Sequence, residues 1–84
     1  MTGLNMERAA MRGVLEEKKQ ERERCRYAIK GNADAIRGKL NMALFTPEEI
    51  EVPLIDELWD QVKSAWAKME LLSGDIKRLE RELN

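Results

Sequence analysis

The residues able to do chemistry are few. Glu48, Glu49 and Glu51 stand close together, and a carboxylate pair can shuttle protons or hold a divalent ion. Thr46-Pro47-Glu48-Glu49 is also the pattern of a helix start, with Thr as N-cap, Pro at the first position and Glu three residues on. Capping is the preferred reading. Cys25 has Arg22, Arg24 and Arg26 nearby, and neighbouring cations favour a reactive thiolate. It also falls on an apolar stripe, where cysteine acts as a small filler, and filler is preferred. Lys18, Lys19, Arg22, Arg24, Arg26 and Lys30 form a basic run suited to phosphate backbones, with only Tyr27 available to stack on a base. Glu16, Glu17, Glu21 and Glu23 interleave with it and cancel much of its field, which favours a solvated, salt-bridged helix. Trp59 and Trp66, seven residues apart, are of the type enriched where proteins bind one another.

The wider composition narrows the field. The chain has 84 residues, 43% apolar and 37% charged, with 5% aromatic residues, no histidine and one cysteine. Without histidine, and with a single cysteine, His/Cys zinc sites and His-based acid–base catalysis are excluded. An enzyme is not expected, and no cofactor or metal is. The low aromatic content argues against an all-β domain, and the apolar fraction argues against disorder. No stretch has the roughly 20 apolar residues of a membrane span. The first residues lack the apolar run of a signal peptide, and a lone cysteine fits a reducing compartment, so a cytoplasmic location is expected.

Two helices must position these groups. In the second half, Ile55, Leu58, Val62, Ala65, Met69, Leu72, Ile76, Leu79 and Leu83 alternate by three and four and are all apolar, which predicts a helix with a coiled-coil seam. In the first half, Met11, Leu15, Lys18, Arg22, Cys25, Ile29, Asn32, Ile36 and Lys39 keep the same spacing, but four of the nine are polar. The expected fold is all-α: a single unit over 1–84, an antiparallel two-helix hairpin with coiled-coil heptads. The helices are placed at about 5–43, with a kink allowed near Gly31, and about 54–83; the turn lies at about 44–53 and holds a short capped turn at 47–51. Folding there brings Cys25 near Leu72 and Ile36 near Val62, with Lys18 and Arg22 near Asp75, Glu80 and Glu82.

Charge supports that pairing. Residues 1–44 carry ten Lys/Arg against six Asp/Glu, and residues 45–84 carry five against ten. Trp59 and Trp66 on the flank, and an N-terminal overhang holding Leu4, Met6 and Met11, extend the apolar surface beyond what one partner helix covers. Leu4, Met11, Trp59 and Trp66 are therefore the candidate interface residues. A homodimer closing into a four-helix bundle is the expected assembly, with a domain-swapped dimer of straightened helices as a second geometry and a foreign protein helix as another occupant. The function expected is protein–protein interaction or scaffolding. The alternative is nucleic-acid binding by Lys19, Arg26 and Lys30.

Two hairpin families invite comparison. The Thr46–Pro53 segment superficially resembles the proline-bounded turn of secretion-needle subunits, but five residues separate its prolines. Small secreted hairpins with a Trp-x-Gly turn differ too, because neither Trp59 nor Trp66 has glycine two residues on. In general pattern the chain is similar to small coiled-coil proteins of bacterial and phage genomes.

Overall fold

A computed structural model describes residues 2–84, except the side chains of Thr2 and Leu4. Helix α1 spans Thr2–Lys39, a 3-10 turn spans Pro47–Glu49, and helix α2 spans Val52–Leu83. The two helices pack on each other as a hairpin, and the described residues contain no strand. The result is a rod of 68 × 16 × 15 Å.

The helices run antiparallel. Arg8 donates to the Leu83 carbonyl, Lys18 meets Asp75, and Lys39 reaches Glu51, so partner numbers fall as α1 numbers rise. The apolar stripe of α2 faces inward: Val62, Leu72, Ile76 and Leu79 are buried, and Ile55, Leu58, Ala65, Met69 and Leu83 are half-buried. Among the described residues of α1 Cys25 is the buried one, and the other eight seam positions are half-buried, including polar Lys18, Arg22, Asn32 and Lys39. Long stems let Lys and Arg cover apolar surface while their charged ends reach water or acid partners.

Both inner helix ends differ from the sequence expectation. α1 stops at Lys39 rather than near 43 because Asn41 turns the chain. Its side-chain Oδ1 accepts the Ala43 amide at 3.0 Å, and its carbonyl accepts the amides of Leu44 and Phe45. Asparagine competes for backbone groups in this way and favours turns. α2 begins at Val52 rather than 54. Pro53 falls in the first helical turn, where the amide it lacks would have had no intrahelical acceptor.

Together these shifts move the fold-back point toward the N-terminus. The register moves by about one helical turn relative to the expected pairing of Cys25 with Leu72. Cys25 instead lines a groove with Ala65 and Lys68. α1 continues as one α-helix through Gly31 and Asn32. An interior glycine costs about 1 kcal/mol against alanine, too little to break a helix held along its length by a partner.

Candidate interaction face

One side of the rod carries the tryptophans. Trp59 and Trp66 are two turns apart on α2 and are 51% and 56% exposed. With Val62 and the stem of Lys63 they line a shallow apolar recess of about 240 Å³. Val62 belongs to the buried seam, so the recess opens directly off the core. The stripe through Trp59 and Trp66 continues along α2 to Ser73 and Glu80. Lys19 on α1 reaches Glu80 at 3.9 Å, which places the stripe Lys19, Arg26, Ala33 and Leu40 on the same side of the hairpin. Leu40 is 47% exposed and lines a second recess with Ala33, Ile36 and Met42.

The N-terminal candidates divide. Met11 is half-buried at a seam position and is covered by the hairpin rather than overhanging it, whereas Met6 is exposed. The early end of α1 moves α2's last turn opposite Met11. The side chain of Leu4 lies outside the described residues.

The basic candidates are largely engaged within the chain. Lys19 pairs with Glu80, and Arg26 pairs with Glu23 one turn away on its own helix. Lys30 is exposed. Of the expected cross-helix contacts, Lys18 Nζ donates to Asp75 Oδ2 at 3.1 Å. Arg22 differs, because its Nε is buried with no hydrogen-bond partner.

The acidic cluster near the turn is used structurally. The Glu49 carboxylate accepts from the Thr46 amide and from Thr46 Oγ1, both at 3.0 Å. These bonds, the amide first, hold its pKa below the ordinary glutamate value. Glu51 faces Lys39 at 3.9 Å and ties the start of α2 to the end of α1.

Sequence reasoning missed a cluster at the turn. Met42, Leu44 and Val52 are exposed there beside Leu40. The dense apolar run from Leu40 to Phe45 was the available signal; it reads as helix until Asn41 is recognised as a turn former. Leu71, 74% exposed on the outer side of α2, was also missed. Among the described residues no helix is long and apolar enough to cross a membrane. No protein-family model, curated protein or solved structure matches the chain.

Proposed function

We propose that this protein is a non-enzymatic interaction or scaffolding protein that works by self-association: two hairpins pack into a homodimeric four-helix bundle with coiled-coil packing. The observation that carries this reading is the pair of half-exposed tryptophans beside the buried seam. A Trp side chain carries about 150–250 Å² of surface, and closing the recess removes the half still exposed from water in both copies. Buried tryptophans dominate the energetics of many interfaces. The size of the chain supports the same reading, because a two-helix core is small and gains stability by associating. The proposed setting is the cytoplasm, where the free thiol of Cys25 stays reduced.

Light scattering on a sizing column tests this, and for a rod it reports mass where elution volume alone misleads. The expected result is twice the 9.7 kDa chain mass, with blue-shifted tryptophan emission on the same peak. Replacing both tryptophans (Trp59→Ala and Trp66→Ala) is expected to give monomers that keep their helical circular dichroism. A wild-type monomer with red-shifted, quenchable emission overturns self-association and leaves the face free for a foreign helix.

A further inference from the structure

The tryptophan side of the rod has an outer column of charges on each helix. On α1 they are Glu16, Glu23, Lys30 and Arg37, seven residues apart; on α2 they are Asp56, Lys63, Glu70 and Lys77, with the same spacing. All eight are exposed. Glu23 and Lys63 pair only one turn away, with Arg26 and Asp60. The remaining six make no ion pair among the described residues. Such i, i+3 pairs on a wet surface are weak and leave the charges available to a partner.

The order of signs carries the argument. Each column is reversed in sign when read backwards: minus, minus, plus, plus on α1, and minus, plus, minus, plus on α2. A two-fold axis pairs each charge with the one equidistant on the other side of the midpoint, so both columns are complementary to their own inverted copies. The α1 midpoint falls between Arg26 and Tyr27, and the α2 midpoint between Trp66 and Ala67. These midpoints lie at one level of the rod. Starting from the bonded pair Lys18 and Asp75, the same distance toward the turn, between eight and nine residues, reaches both. One axis across the rod therefore satisfies both helices.

We infer that a second copy of this chain docks on the tryptophan side about a two-fold axis perpendicular to the rod at the level of Trp66, α1 against α1 and α2 against α2, antiparallel. This rests on the self-association proposed above and adds its geometry. Glu16 then faces Arg37 of the partner subunit, and Glu23 faces Lys30 of the partner subunit. On the other helix Asp56 faces Lys77 of the partner subunit, and Lys63 faces Glu70 of the partner subunit. Trp66 meets its own copy at the axis, and Trp59 lies over the small Ser73 of the partner subunit. Arg26 also approaches its copy, and the Glu23 carboxylate bonded to it offsets that repulsion.

The other two-fold arrangement has its axis along the rod and both turns at one end. It sets α2 against the partner's α1 at the same level. Lys63 would then face a lysine, at position 30, and Glu70 a glutamate, at position 23. Asp56 against Arg37 of the partner subunit and Lys77 against Glu16 of the partner subunit would stay opposite in sign, so half of the column contacts repel along this axis, whereas none repels about the perpendicular one. Size is adequate as well: a face 68 Å long and 16 Å wide offers on the order of 1,000 Å² per copy, above the roughly 800 Å² of a standard stable interface.

Charge reversal tests the geometry in the full chain, with the dimer constant read by sedimentation equilibrium. Glu70→Lys alone and Lys63→Glu alone are each expected to weaken the dimer by about tenfold or more, and the double variant to restore it to within about threefold. In a Cys25→Ala background, Lys63→Cys with Glu70→Cys is expected to yield a disulfide-linked dimer on oxidation. Each single cysteine is expected not to, because equivalent sites stand about 10 Å apart along the helix. Circular dichroism verifies folding of each variant. A wild-type dimer whose constant ignores both reversals, or that fails to cross-link, overturns this geometry and leaves self-association standing. A wild-type monomer overturns both.

Discussion

Lys18 and Asp75 meet at 3.1 Å across the hairpin, and this pair marks the level at which the two helices are in register. Lys18 sits at a seam position that an apolar residue would ordinarily hold, and its stem covers the seam while its ammonium reaches the flank of α2. Arg22, one turn further along the same seam, presents the opposite case: its Nε is buried without a partner.

The contrast gives a first prediction. Replacing Arg22 with leucine removes an unsatisfied buried donor and adds apolar contact to the seam. A buried polar group lacking its hydrogen bond costs about 1–3 kcal/mol, so Arg22→Leu is expected to stabilise the fold by about 1 kcal/mol or more. The urea midpoint at fixed protein concentration is the measurement. An unchanged or lower midpoint would show that Arg22 contributes through its charge instead.

Ile76 is the most deeply buried side chain, at 2% exposure, whereas Leu71 on the outer side is 74% exposed. Truncating a buried isoleucine costs about 2–5 kcal/mol, and truncating an exposed residue usually changes stability by less than about 0.5 kcal/mol. Ile76→Ala is expected to lose most of the cooperative thermal transition, and Leu71→Ala to melt with the wild type. A large loss on Leu71→Ala would place Leu71 in an interface.

Glu49 supplies the pH dependence. Its carboxylate is held ionised by the Thr46 amide and hydroxyl, so its folded pKa lies below the ordinary value of 4.5. The unfolded chain therefore binds this proton at higher pH than the folded chain does. The contribution to stability is fully present above about pH 4.5 and is lost as pH falls through the lowered folded value. An NMR titration of the Glu49 side-chain carbon is expected to show the depressed midpoint. Thr46→Val keeps the amide and removes the hydroxyl, and is expected to raise that midpoint part of the way.

The sequence by itself determined that the chain is two helices folded on one another. Nine apolar positions in α2 at three- and four-residue spacing form one stripe, and a stripe must be buried against something. The matching spacing in α1 was legible too, even through Lys18, Arg22, Asn32 and Lys39, because periodicity survives when the residue at a position is long enough to reach past the seam. The Thr46–Glu49 contact was legible because it is local, spanning one turn of chain.

Only the tertiary structure decided the register. That depended on where α1 stops, which Asn41 settles by capturing the Ala43 amide, and on whether Pro53 lies inside or outside α2. Each is a competition between backbone hydrogen bonds differing by about 1 kcal/mol, below what residue pattern resolves. The Lys18–Asp75 contact and the uncovered flank of Trp59 and Trp66 follow from the sequence pattern already, whereas the outcome of these competitions covered Met11 and left Arg22 Nε without a partner. Burial at those positions depends on the opposite helix, whose alignment no local run of residues specifies.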